Sequence, residues 1–158
     1  MAGKFRVWRL GPEGYLDSDF GTGGVVDTNF AGDGESIAAM VLDSAHGRLY
    51  VAGQSQGDFA SAAYALDGGL DGKFGGGQVR TDFSGAAASI TAMDLKDDRF
   101  VVVGQAISGA DYRAAFARYR IYAGQEVEPC YPDGSCDGNK ICVPISSEDE
   151  NFGGFCHS

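Results

Sequence analysis

Basic residues are scarce in this chain of 158 residues, which has 12 Lys and Arg against 22 Asp and Glu and a net charge of −10. An acidic surface repels phosphate backbones, so we expect no nucleic-acid partner. The sequence also lacks an apolar run near the ~20 residues of a membrane span, and it has no basic amphipathic segment. We therefore expect no membrane span.

Glycine, in contrast, is abundant, and apolar residues suffice for a folded core. The chain contains 25 glycines, interleaved with Val, Ile, Phe and Tyr, and its hydrophobic content is 44%. This composition is typical of many tight turns between short strands rather than of a low-complexity linker. Helical patterns are weak, and the best of them, residues 111–120, aligns with strand segments elsewhere in the chain.

An internal repeat of about 50 residues organises the chain. The motif LDSDFG at residues 16–21 returns as LDGKFG at 70–75, and SIAAM at 36–40 returns as SITAM at 89–93. RLYVAGQ at 48–54 returns as RFVVVGQ at 99–105. The repeat predicts an all-β protein with four short strands per unit, at residues 5–10, 25–30, 36–42, 48–53, 59–64, 79–83, 89–95 and 99–104, and a further strand at 112–119.

The third strand of each unit is apolar on both of its faces. Met40 and Leu42 alternate with Ile37 and Ala39, and the segments 49–52 and 100–103 have a similar pattern. We expect these strands to be buried on both sides, as in a sheet that packs between two neighbours.

Residues 59–104 carry a pattern in which Tyr64, a Leu-Asp-x-x-Phe-Gly motif at 70–75, Thr81-x-Phe83 and an Arg-led apolar strand follow one another. This pattern resembles the bacterial delta-60 repeat. The resemblance implies propeller-type four-stranded repeats in a mostly secreted or cell-surface protein, without agreed catalytic residues. It divides residues 1–124 into unit 1 at about 5–58, unit 2 at about 59–111 and a partial unit 3 at about 112–122, followed by a tail at 125–158.

Two blades and one extra strand cannot close a propeller, which needs about four to eight blades. Three arrangements remain open at this point. The chain is a piece of a longer propeller, several copies assemble into one ring, or the two units pack in an open or solenoid form.

The tail is acidic and carries all four cysteines, Cys130, Cys136, Cys142 and Cys156. Their spacing lacks the C-x2-C pairs of a structural zinc site, so it predicts two disulfides in a small disulfide-rich tail, with three connectivities open. Disulfides indicate an extracellular or cell-surface location. No signal peptide is visible before the first strand, and we resolve that conflict by expecting a longer parent protein.

Two aspartates recur at one position of the repeat, Asp17 and Asp71. We interpret them as structural turn residues whose carboxylates accept backbone N–H bonds, rather than as metal ligands. We expect no cofactor and no metal, apart from weak Ca²⁺ candidates in acidic turns. These turns lie at residues 33–35 and 67–71 and, as the best of the three, in the tail at Asp133, Asp137 and Asn139.

Other candidate sites are weaker. The glycine runs at 21–24 and 75–77 lack the Lys-Ser/Thr of a phosphate-binding loop, and His46 lies in a predicted hairpin turn, which is a poor place for a catalytic base. Paired carboxylates for glycoside hydrolysis cannot be picked out. The one tryptophan, Trp8, aligns with alanines near position 62, and a sugar could otherwise stack on Tyr15, Tyr50 or Tyr64.

The sequence therefore favours a non-catalytic extracellular scaffold or interaction module that binds a protein or glycan on its loop rim. The alternative is a carbohydrate-binding lectin formed by self-association of two-blade subunits. A glycoside-active enzyme is the third hypothesis. We also expect this chain to pack either against further copies of itself, as a homo-oligomer, or against the remainder of a longer propeller.

Overall fold

The computed structural model describes residues 4–30, 34–96, 99–121, 126–127, 141–143 and 155–157. Within these residues the protein is all-β, as the sequence predicts, with one short 3-10 turn at Gly75–Gly77 and no α-helix. The strands are β1 Phe5–Trp8, β2 Val25–Thr28, β3 Ser36–Asp43, β4 Arg48–Ser55, β5 Asp58–Ala65, β6 Gln78–Thr81, β7 Ala87–Lys96, β8 Arg99–Ser108, β9 Asp111–Arg120, β10 Glu126–Val127, β11 Ile141–Val143 and β12 Phe155–His157.

All strand pairing between these elements is antiparallel and joins strands that follow one another in the chain. β3, β4, β5 and β6 form one four-stranded sheet in that order, and β7, β8, β9 and β10 form the second. β1 pairs with β2 in a two-stranded ladder, and β11 pairs with β12 in another. Each of the nine strands predicted up to residue 120 has its counterpart among β1 to β9. Residues 111–120, for which the alignment of the repeats predicts a strand despite a weak helical pattern, form β9.

The first sheet lies between the β1–β2 ladder and the second sheet. One face of β4 and β5 contributes Val51, Ala62 and Tyr64 to a core shared with Phe5 and Val7 of β1. The opposite face contributes Tyr50, Ala52, Phe59 and Ala63 to a core shared with the second sheet, including Phe100, Val102, Ala117 and Tyr119. β4 and β5 are therefore buried on both faces, as expected for a sheet with a neighbour on each side.

Three of the strands predicted to be buried on both faces are covered on one face alone. In β3, Met40 and Leu42 are 56% and 57% exposed, and in β8, Val103 is 43% exposed. In β7, Ala92 is exposed on the face opposite the shared core. The prediction of two-sided burial was therefore wrong for β3, β7 and β8. The physical reason is position in the stack, because β7 and β8 have no described sheet beyond them and the two-stranded ladder is too narrow to reach β3.

A β-bulge in β3 also changes which side chains share a face. The pairing register shifts between Ile37 and Ala39, and the second sheet has the same shift between Ile90 and Ala92. Ile37 consequently packs toward the β1–β2 ladder, on the same face as Met40, rather than with Ala39. At each bulge a glycine faces the extra residue, and a Cβ on Gly53 would overlap the carbonyl oxygen of Ser36.

A repeated hydrogen bond joins successive units of the stack. The Thr28 hydroxyl of β2 lies 2.6 Å from the Tyr64 hydroxyl of β5, and Thr81 of β6 lies 2.6 Å from the hydroxyl of Tyr119 of β9. Both pairs are buried, and burial raises the pKa of the Tyr64 phenol despite its hydrogen bond with Thr28. These bonds satisfy four hydroxyl groups that would be costly to bury alone.

Candidate functional site

The outer face of the second sheet is the first candidate surface. Val101 pairs with Arg118 and Val103 with Phe116, and the Phe116 side chain is 52% exposed. The equivalent positions of the first sheet include Tyr50 and Ala52, which are fully buried beneath the second sheet. The outer face is thus the repeat equivalent of a buried contact surface, and it exposes the apolar side chains of Val103 and Phe116, which no described sheet covers.

The opposite end of the stack shows a matching surface on the β1–β2 ladder. The amide of Asp17 bonds to the carbonyl of Arg9, as that of Asp71 bonds to Ala63, so Trp8 is the structural equivalent of Ala62. Trp8 is 57% exposed, whereas Ala62 is buried against β1. The Arg6 guanidinium lies 5.9 Å from the Trp8 ring centre and forms two hydrogen bonds with Asp27, of 2.5 and 2.6 Å.

A third surface lies beside the ladder, where β3 extends past it. Met40 pairs with Val51 and Leu42 with Leu49, so both exposed side chains lie on the face of the first sheet that the ladder partly covers. In the second sheet their equivalents Met93 and Leu95 are partly buried against the shared core. The ladder has counterparts of β5 and β6 but, within the described residues, none of β3 and β4.

The recurring aspartates lie in turns and contact backbone amides. Asp17 Oδ1 accepts the Asp19 N–H at 3.0 Å, and Asp71 Oδ1 accepts the Lys73 N–H at 3.1 Å. The second oxygen of each pairs with arginine, Asp17 with Arg9 and Asp71 with Arg48. The Asp19 amide and the Arg9 side chain lower the pKa of the Asp17 carboxyl. This geometry accounts for both aspartates through turn formation.

His46 lies in the β3–β4 turn, as the sequence predicts, and a buried carboxylate holds its ring. Its Nδ1 is 2.8 Å from Asp43 Oδ2, and its backbone N–H bonds to Asp43 Oδ1 at 3.2 Å. Sequence reasoning missed Asp43, although an acid three residues before a turn histidine is a local signal that could have found it. Nearby, burial raises the pKa of the Tyr50 phenol to about 12, so Tyr50 stays neutral. Because the side chains of Tyr50 and Tyr64 are both fully buried, they are core residues and cannot stack on a sugar.

The acidic turns within the described residues bind the protein's own backbone. Glu35 is buried and accepts the amides of Phe30 at 2.7 Å and Phe5 at 3.3 Å, while Asp67 accepts the Gly69 amide at 2.8 Å. Across the described part of the chain, no group of three His, Cys, Asp or Glu side chains is arranged to hold a metal ion. Outside the described residues lie Asp33, the tail candidates Asp133, Asp137 and Asn139, and the side chains of the four cysteines.

The glycine run at 21–24 borders a shallow cavity of about 520 Å³ between the ladder and the first sheet. Gly21 and Gly68 approach each other there, and the Gly21 amide bonds to the Asp67 carbonyl at 2.7 Å. The cavity is lined by Gly21, Thr22, Val25, Val26, Asp27 and Gly68. Its one charged group, Asp27, is already engaged by Arg6, so the lining offers little to hold a ligand.

Comparisons with protein-family models, with curated proteins and with solved structures find no match to this chain. The described residues include no helix with the length and hydropathy that a transmembrane span requires. The three uncovered surfaces are therefore the candidate functional sites of the described residues.

Proposed function

We propose that this chain is a non-catalytic, propeller-type β-repeat module that docks further β-sheets through its end faces. The observation that supports the proposal is the outer face of the second sheet, where Val103 and Phe116 are exposed at positions that are buried in the first sheet. Exposed apolar patches on folded domains commonly mark interaction sites. The repeat motif, similar to that of delta-60 proteins, and the four cysteines support an extracellular or cell-surface setting for such a module.

The end faces differ from each other, so contact between them is heterologous. The face with Phe116 belongs to a full sheet, and the face with Trp8 belongs to a two-stranded ladder. Pairing of unlike faces builds rings or open arrays rather than symmetric dimers. Loops at the rim of such an assembly would be available for a protein or glycan ligand.

Light scattering on non-reduced protein tests this function. We expect wild-type protein to associate as its concentration rises, and Phe116→Glu to remain monomeric with an unchanged circular dichroism spectrum. Leu66→Glu is the matched control, since Leu66 is also exposed but lies outside both end faces. Wild-type protein that stays monomeric up to about 1 mM would overturn docking through this face.

Glycan binding is a second candidate function, favoured by the exposure of Trp8 and Tyr15. Tyr15 is 79% exposed, and aromatic rings with free faces are the usual platforms for sugars. Binding to a glycan array that disappears in Trp8→Ala, but persists in the exposed control Tyr112→Ala, would support a lectin. An array without any bound glycan would remove this candidate and leave the docking module.

A further inference from the structure

Within the described residues, the β1–β2 ladder has two strands where each of the neighbouring sheets has four, and the outer edge of β1 has no paired strand. β5 is the structural equivalent of β1 and pairs with both β4 and β6, whereas β1 pairs with β2 alone in the described residues. The Arg9 amide bonds to Gly24 of the β2 side, so by strand alternation the amides and carbonyls of Arg6 and Trp8 point away from β2. An unpaired edge of this kind is a template for strand addition.

The exposed apolar side chains beside this edge, Met40 and Leu42, lie where a further pair of strands equivalent to β3 and β4 would pack. The equivalent side chains in the second sheet, Met93 and Leu95 of β7, are covered by the β3–β4 hairpin of the preceding sheet. The face of that hairpin turned toward them carries Val41, Tyr50 and Ala52. Met40 and Leu42 are the same side chains one repeat earlier, and they are more than half exposed. The open edge and the exposed strip therefore lie where one hairpin of the β3–β4 type would cover both.

We propose that the β1 edge, together with Met40 and Leu42, is a strand-addition site for a further β-hairpin of this same repeat, additional to the β3–β4 and β7–β8 hairpins that are already part of four-stranded sheets. The proposal rests on the docking function above and names the partner at the ladder end. A second copy of this chain does not satisfy the site, since its β3–β4 and β7–β8 hairpins are both already built into four-stranded sheets. Main-chain bonds to Arg6 and Trp8 would supply affinity, and burial of Met40 and Leu42 would select the repeat type.

The test adds the hairpin and measures amide hydrogen exchange residue by residue. A synthetic peptide of residues 36–55 is added in trans to the full chain, and in a second experiment residues 36–57 are fused directly ahead of Lys4. The fusion reproduces the short Gln56–Gly57 connection between β4 and β5 and does not require the hairpin to be stable alone. We expect exchange at the Arg6 and Trp8 amides to slow by at least about tenfold in the fusion, with a smaller effect of the peptide.

Matched variants distinguish binding at this specific site from nonspecific association. Val41→Asp and Tyr50→Asp in the added hairpin alone should abolish the protection, and so should Met40→Lys in the host chain. Unchanged exchange at Arg6 and Trp8 in both experiments would overturn the proposal, as would strong protection of these amides in the wild-type chain by itself. The outcome is independent of the Phe116 experiment, because the two surfaces lie at opposite ends of the stack, so either idea can fail alone.

Discussion

Residues at equivalent positions of the two repeat units have the same structural role in this protein. Phe20 and Phe74, from the two copies of the Leu-Asp-x-x-Phe-Gly motif, are both buried. Asp17 and Asp71 each accept a backbone amide in the turn that leads to the phenylalanine. The sequence alone supported this assignment, because a residue needed for a fold must recur in every unit. The arginine partners could not be predicted in the same way, since Arg9 and Arg48 come from non-equivalent positions.

Acid should weaken the fold through Asp17. The pKa of its carboxyl is lowered by the Asp19 amide and by Arg9, so its contribution to stability is present above its unfolded pKa near 3.8 and is lost as the pH falls through the lowered value. We expect Asp17→Asn to flatten the fall in urea midpoint between neutral pH and about pH 3. Asp19→Asn changes the net charge equally and serves as the control. Identical pH profiles for the two variants would contradict this role.

Gly53 is a residue at which a single methyl group should be costly. Its Cβ would overlap the Ser36 carbonyl across the bulge, and backbone on both strands would have to move. We expect Gly53→Ala to lower the free energy of unfolding by about 1–3 kcal/mol, as overpacking does elsewhere. Gly72→Ala is the matched control, because a Cβ there meets no atom within 4 Å. Equal stability of the two variants in urea titrations would rule out the close approach.

At the scale of elements, strand positions were predictable and strand surroundings were not. Alternation of apolar residues and turn glycines located β1 to β9. The bulges after Ile37 and Ile90 left no clear signal, because an extra residue in a strand changes no composition. Gly53 and Gly104 are the exception, since glycine inside a strand pattern suggests a bulge or a close backbone approach.

The β11–β12 ladder predicts one of the disulfides. The backbone register places Cys142 directly opposite Cys156. Facing residues in an antiparallel ladder have Cα atoms about 4.5–5.5 Å apart, within the range that a disulfide spans. We expect a bridge between Cys142 and Cys156, which leaves Cys130 and Cys136 as the second pair.

Mass spectrometry of peptides from a non-reducing digest checks this connectivity. Cleavage between Cys142 and Cys156 should leave their two peptides linked to each other. A linked peptide that joins Cys130 or Cys136 to Cys156 would contradict the register-based assignment.

At the scale of the whole molecule, stability depends on contacts between sheets. The Phe74 ring lies 5.4 Å from that of Phe100, 5.9 Å from Tyr119 and 6.1 Å from Tyr50, so one side chain joins both four-stranded sheets. We expect Phe74→Ala to cost about 3–5 kcal/mol and to increase amide exchange in both sheets. Phe116→Ala removes the same side chain from an exposed position and should cost about 0.5 kcal/mol or less. Similar losses for the two variants, measured by urea unfolding, would contradict a shared core.

The sequence by itself determined the all-β class, the number and order of the strands up to residue 120 and the turn aspartates, because these depend on local alternation and on repetition. Only the tertiary structure decided which faces are covered. Met40 and Met93 occupy the same place in the repeat, yet one is exposed and the other packs against a core. Whether a strand face is buried depends on whether another sheet packs against it, and the strand's own sequence does not determine whether that sheet is present.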